Sequence, residues 1–248
     1  MNSSSLPKII FLDTVDSTNT FIARRLQTDI LPNGYCVAAD YQKAGRGQAG
    51  NVWESASGQN LLFSVLLHTQ HFPLDRQFLL SKVVSVAIHK FLADRGIDTK
   101  IKYPNDILYG NKKLAGILIE NRIAGKQMTF SIVGVGLNIN QTEFVENKAT
   151  AISIRQITNR IHDTKTLLAE LREEIVTLVA DFDIEKADTY RKPYLDHLFR
   201  TDGYYRYEAA GEIFEARAVD VGDDGILRLV TKSGEERQFY FKQVKFIL

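Results

Sequence analysis

Apolar residues recur along the chain at two spacings, and each run predicts an element. Lys8 to Thr14 (KIIFLDT) reads as a short strand. Ser17-Thr18-Asn19 then offers capping hydroxyls and an amide ahead of an amphipathic helix carrying Phe21, Ile22 and Leu26. A Pro-Asn-Gly turn at 32–34 precedes a strand over 35–41. Asn60–Leu67 (NLLFSVLL) is branched and aromatic enough for a buried strand, whereas Leu79, Leu80, Val83, Val84, Ala87, Ile88 and Phe91 repeat at helical spacing. Leu114–Ile123 and Gln127–Ile139 are strand-like, and the short Ala124-Gly125-Lys126 between them signals a hairpin. A further helix over residues 164–182 gathers Leu167, Leu168, Leu171, Ile175, Leu178 and Val179 on one face.

From Tyr204 the pattern shortens. Alternating segments separated by Ala210-Gly211, Asp223-Asp224-Gly225 and Ser233-Gly234 predict a small all-β module. The boundary falls at Lys192-Pro193, dividing the chain into residues 1–192 and 193–248. Strands joined by hairpins, with two or three long helices, predict an α+β fold with a mixed sheet and flanking helices, not a regular βαβ series.

Composition changes this picture little. The 248 residues suffice for a sizeable core, and 44% hydrophobic with 25% charged residues is ordinary for a globular protein. A formal charge of +1 gives no global attraction to nucleic acid or to a membrane surface. Cys36, the single cysteine, sits in an apolar run and fits a reducing compartment. The amino terminus lacks the pattern of a secretory signal, and no apolar stretch reaches membrane-spanning length. A cytoplasmic protein is expected, without DNA or membrane as partner.

The chemistry concentrates in three segments. Gly45-Arg46-Gly47-Gln48-Ala49-Gly50-Asn51-Val52-Trp53 is a glycine-rich loop with one cation and the only tryptophan. It matches the dinucleotide fingerprint in form, but no helix follows the glycines and no acid lies about twenty positions on. No P-loop motif occurs anywhere. What remains is a surface loop, or an anion clamp in which glycine N–H groups and the Arg46 fork meet phosphate or carboxylate. Trp53 serves equally as a core anchor or as a stacking face for a purine.

In Lys102-Tyr103-Pro104-Asn105-Asp106, the amide and carboxylate form an Asx turn or reach a metal through oxygen. Lys112 and Lys113 open a strand whose alternation sends them to opposite faces, so one can enter a pocket. The glycines of Gly134-Val135-Gly136-Leu137-Asn138 mark close approach by a ligand or by another part of the chain. The scattered histidines, His68 and His71 included, do not form a metal site.

Taken in order, these segments resemble the biotin protein ligases. The matching pieces are Asp16-Ser17-Thr18-Asn19, Gln42-Lys43-Ala44-Gly45-Arg46-Gly47, Trp53-Glu54-Ser55, Gly58-Gln59-Asn60-Leu61, KYPND at 102–106, KKLAGILIE at 112–120 and GVGLNIN at 134–140. The resemblance implies a class II synthetase-like catalytic domain and a small carboxy-terminal SH3-like β-barrel. It also implies a two-step reaction, in which biotin and Mg-ATP give biotinyl-AMP and a lysine of a biotin carboxyl carrier protein then takes the biotinyl group.

By the same resemblance, Arg46 and Lys113 are the catalytic cations. Ser17, Thr18, Asn19, Gln42, Gly45 and Gly116 join them in holding biotin. Trp53, Asn105, Asp106 and Asn138 serve ATP, with Asp106 toward Mg2+. Two departures stand out: relatives often have arginine where this chain has Gln48, and tryptophan where it has Tyr103. The family's usual arginine near the end of the small domain has no clear counterpart in Gln243–Leu248. The first catalytic strand begins by Lys8, so no amino-terminal helix-turn-helix is expected. Strand edges of the large sheet leave a homodimer, or pairing with the carrier, open. The competing functions are a lipoate or octanoyl transferase and a non-catalytic biotin-sensing regulator.

Overall fold

Alternating burial builds two sheets. In the computed structural model, which describes residues 6–48 and 52–247, seven strands share the first. They are β1 (Ile10–Val15), β2 (Cys36–Gln42), β3 (Leu61–His68), β4 (Lys100–Lys102), β5 (Asp106–Tyr109), β6 (Lys112–Ala124) and β7 (Gln127–Leu137), ordered β1-β2-β3-β7-β6-β5-β4. β1 and β2 run parallel and the other neighbours antiparallel, so the sheet is mixed, as the sequence predicts.

One face packs on α2 (Phe78–Ala93) and α4 (Thr164–Ala180) through Phe63, Val65, Val133, Val135 and Ile117. Each such buried side chain contributes roughly 1.5–3 kcal/mol. On the other face, Ile22 of α1 (Thr18–Arg25) sits over Val37, Leu66 and Ile132. Alternation puts Ser64, Gly134, Gly136 and Gly116 on that second face, paired as Ser64 with Gly134 and Gly116 with Gly136. α1 covers one end of this face; the glycines floor the rest.

The second sheet is antiparallel: β8 (Tyr205–Ala209), β9 (Glu212–Val221), β10 (Leu227–Thr231), β11 (Glu236–Phe239) and β12 (Lys245–Phe246), ordered β11-β10-β9-β8-β12. Its inner side chains, among them Tyr207, Ala218 and Leu229, continue the core formed by α2 and α5 (Asp188–Asp196). Polar bolts reinforce the join. The Asp223 carboxylate takes Lys82 Nζ at 2.8 Å and Arg191 Nη2 at 2.5 Å, and the Tyr103 hydroxyl donates to Gly225 O at 2.8 Å.

Some local expectations need correction. Ser17 occupies the N-cap of α1, but its hydroxyl caps nothing; Gln42 Oε1 accepts the Thr18 N–H at 2.7 Å instead. The β4–β5 hairpin, α3 (Ile154–Thr158) and α5 are too short to show a periodic signal, and Lys192 and Pro193 lie within α5. The Tyr103–Pro104 peptide is cis. Ala49, Gly50 and Asn51 of the glycine loop, and the amino-terminal Met1–Ser5, lie outside the described residues.

Candidate active site

At the α1 end of the open face a chain of polar side chains lines the cleft. Gln42 Oε1 accepts both the Thr18 N–H and, at 3.1 Å, its hydroxyl. Ser64 Oγ lies 2.6 Å from Thr18 Oγ1 and 2.5 Å from Asn19 Oδ1. Asn19 Nδ2 donates to Glu120 Oε2 at 2.7 Å, and Glu120 Oε1 pairs with Arg46 Nη2 at 3.1 Å. Thr20 Oγ1 also accepts from Arg46, at 3.2 Å. Thr18, Asn19 and Ser64 are buried, so these partners are obligatory. Gly134 makes room for them, because a Cβ there would stand 2.3 Å from Asn19 Oδ1.

The two ends of the glycine loop are joined, with Trp53 N donating to buried Gly45 O at 3.1 Å and Arg46 bridging to Val52. Trp53 lies flat on the glycine floor: a Cβ on Gly136 would meet its ring at 2.4 Å and one on Gly116 at 2.8 Å. Lys113 Nζ stands 5.3 Å from the centre of that ring. The cleft between these groups, about 40 Å³, is lined by Ser17, Thr18, Asn19, Gln42, Arg46, Trp53, Lys113 and Gly116. The two cations singled out in the sequence therefore border one cleft.

Two grooves continue from it. One, of about 560 Å³, runs past Trp53, Lys113 and Asn138. Asn138 Nδ2 donates to Ile152 O at 3.1 Å, while its buried Oδ1 has no partner among the described residues. The other, of about 260 Å³, brings Lys102, Lys113, Lys242 and Lys245 around Asp106. Burial pushes the Lys102 ammonium below its ordinary value, and nearby Asp106 opposes that shift. Asn105 faces the same groove and is fixed by reciprocal bonds, Nδ2 to Ile117 O at 2.8 Å and Ile117 N to Asn105 O at 3.0 Å.

Asp106 is committed to lysines. Its Oδ1 is 2.6 Å from Lys113 Nζ and its Oδ2 3.9 Å from Lys102 Nζ. Among the described residues no group of three His, Cys, Asp or Glu side chains is disposed to hold a metal. Magnesium carried by a nucleotide needs only one or two protein carboxylates beside phosphates and water, and Asp106 is the carboxylate that this groove offers. His68 and His71 bond to the carbonyls of Leu31 and Val179 and play structural parts.

Sequence reasoning missed Ser64, Glu120, Lys242 and Lys245 as site residues. Ser64 was visible as the one hydroxyl in an apolar strand. Glu120 follows by alternation from Gly116 along β6. The two lysines come from the small module, and no local pattern announces their reach.

A family model described as the biotin/lipoate A/B protein ligase family matches residues 11–138, just over half of the chain. The chain belongs to that family. It is 29% identical over 230 residues to the bifunctional ligase/repressor BirA of Bacillus spizizenii, covering 91% of this chain and 70% of that protein. It is 31% identical over 169 residues to the biotin–[acetyl-CoA-carboxylase] ligase of Mycobacterium tuberculosis, covering 64% and 61% of the two chains. The biotin protein ligase of Aquifex aeolicus, solved in complex with biotin and ATP, superposes with a TM-score of 0.79 at 24% identity, over 98% of this chain and 100% of that one. That likeness confirms the α+β fold with its small β module. Among the described residues no helix is long and apolar enough to cross a membrane.

Proposed function

We propose that the chain is a biotin protein ligase that makes biotinyl-AMP from biotin and ATP and passes the biotinyl group to a lysine of a biotin carboxyl carrier domain. The observation that carries this reading is the shared cleft of Arg46 and Lys113, closed at one end by the Gln42–Thr18–Ser64–Asn19 network. A ureido head has donors and an acceptor that such a network can match, and the carboxylate at the other end of biotin then extends toward Lys113.

In the first step a biotin carboxylate oxygen attacks the α-phosphorus. A P–O bond forms there as the bond to the β-phosphate bridging oxygen breaks, and pyrophosphate leaves. An anion thus attacks an anion, and fixed positive charge lowers that barrier. Lys113 and Arg46 supply this charge at the reacting end. Lys102, Lys242 and Lys245 give the triphosphate a cationic groove, which meets the need left by the missing terminal arginine. Asn105 and Asp106 hold the wall of that groove, and Asp106 orients Lys113. No step is assigned to magnesium beyond its arrival with ATP as substrate.

In the second step the deprotonated acceptor amine attacks the acyl carbon. A C–N bond forms, the acyl C–O bond breaks and AMP departs. A cleft of about 40 Å³ is too small for biotin, so Trp53 has to leave the Gly116–Gly136 floor and can then stack on the purine beside Asn138. In this division residues 1–192 form the catalytic unit and residues 193–248 the module that lends the two lysines.

The test is incubation with ATP, Mg2+, biotin and the carrier domain of an acetyl-CoA carboxylase, followed by intact mass of the carrier. The expected result is one biotinyl group on one lysine, with lipoate in place of biotin leaving the carrier unmodified. Transfer of lipoate, or no transfer at all, contradicts the reading.

A further inference from the structure

A carboxylate, Glu54, stands next to Trp53 in the groove that runs past Lys113. Glu54 accepts four hydrogen bonds, all from one turn: Val145 N at 2.6 Å, Glu146 N at 3.2 Å, and Asn147 N and Nδ2 at 3.2 and 2.9 Å. These donors absorb its charge. Burial alone would raise the Glu54 carboxyl, but the N–H groups outweigh it and hold the group below the ordinary carboxylate range.

The turn belongs to the segment between β7 and α3, and the far end of that segment is anchored at the catalytic lysine. Lys113 N donates to Thr150 O at 2.6 Å, and Ile152 N donates to Lys113 O at 3.0 Å. Trp53 and Glu54, Lys113 and Asn138, and Phe144 and Asn147 all line the groove of about 560 Å³, a size suited to a nucleoside. One wall comes from the glycine loop and the other from the turn, and Glu54 joins the two.

We propose that Glu54 is a positioning residue: its carboxylate fastens the 145–147 turn to the Trp53 segment, so that the two walls close together on the nucleotide end of the acyl-adenylate. This inference rests on the ligase reading above. A loop staple that served only stability would change the melting temperature and leave substrate constants alone. A positioning role separates ATP from the ureido end of biotin, because that end is held from α1, β2 and β3, whereas all four hydrogen bonds to Glu54 come from the 145–147 turn.

The experiment compares wild type, Glu54→Gln and Glu54→Asp. Biotin affinity is measured by calorimetry without ATP, KM for ATP by biotin-dependent pyrophosphate exchange, and loss of biotinyl-AMP by Trp53 fluorescence. Gln puts an NH2 group against N–H donors, so its KM for ATP should rise about tenfold and the adenylate should leave about tenfold faster, with biotin affinity within twofold of wild type. Asp keeps the charge and should recover most of the loss. Unchanged ATP and adenylate constants in Glu54→Gln, or a biotin affinity that falls as far as that for ATP, overturn the proposal; Glu54→Asp decides if the Gln variant does not fold. Absence of biotin-dependent exchange in wild type would instead defeat the ligase reading, which keeps the two failures distinct.

Discussion

Replacing Asp223 by alanine tests what fastens the small module to the catalytic sheet. Its carboxylate neutralises Lys82, whose side chain is 2% exposed, and binds Arg191 through Nε at 3.0 Å and Nη2 at 2.5 Å. Alanine removes the anion and leaves a buried ammonium without a counter-charge. Breaking a buried pair in this way costs about 3–5 kcal/mol. At roughly 2–4 °C per kcal/mol for a chain of this size, the melting temperature should fall by about 6–20 °C. The backbone bond from Phe78 N to Asp223 O survives the change, so the turn itself persists. Lys82→Met serves as the contrast: it removes the buried charge and leaves Asp223 paired with Arg191, and its cost should be far smaller.

Acid gives an independent check. Burial alone would raise the Asp223 carboxyl, but Arg191 and Lys82 together hold it below the ordinary range. A depressed carboxyl stabilises above its unfolded value, about 3.9, and that contribution is lost as pH falls through the folded value. The gap between wild type and Asp223→Ala, followed by calorimetry, should therefore narrow as pH drops below about 4. A melting temperature within 2 °C of wild type at neutral pH, or a gap indifferent to acid, would refute the reasoning.

Two further variants probe the site itself. Gly136→Ala places a Cβ 2.4 Å from the Trp53 ring, which must move by about 1 Å to reach ordinary contact; tryptophan emission should shift and biotin affinity fall by about tenfold with little change in melting temperature, and an unaltered emission spectrum and affinity would contradict the glycine-floor argument. Gln48→Arg adds a guanidinium where the buried Gln48 Oε1 has no partner among the described residues; it should slow release of biotinyl-AMP by about tenfold, and equal rates would show that the missing arginine is immaterial.

Hydrophobic spacing was enough to read the long elements. α2 and α4 carry uninterrupted helical stripes, and the β6–β7 hairpin is marked by Gly125, which adopts φ +61°. The β4–β5 hairpin and α5 escaped because a few residues held by tertiary contact carry no period. Site residues that lie within contiguous motifs were legible: Arg46, Lys113, Asn105 and Asn138 all border the cleft or its grooves. Ser17 was misjudged as a cap because its hydroxyl makes no bond to the first turn, and the side chain that does bond there, Gln42 on the Thr18 N–H, comes from a separate strand. Glu54 and Lys245 were opaque for the same reason: their partners lie 91–93 and 37 residues away, a pairing only the folded chain brings about.

The central claim is that Arg46 and Lys113 act on one acyl-adenylate. It is tested most directly by native mass spectrometry of the protein after incubation with biotin and Mg-ATP in the absence of any carrier. Wild type should retain one biotinyl-AMP per chain, and folded Arg46→Ala and folded Lys113→Ala should each form far less of it. A Lys113→Ala protein that carries the adenylate at the wild-type level would contradict the account.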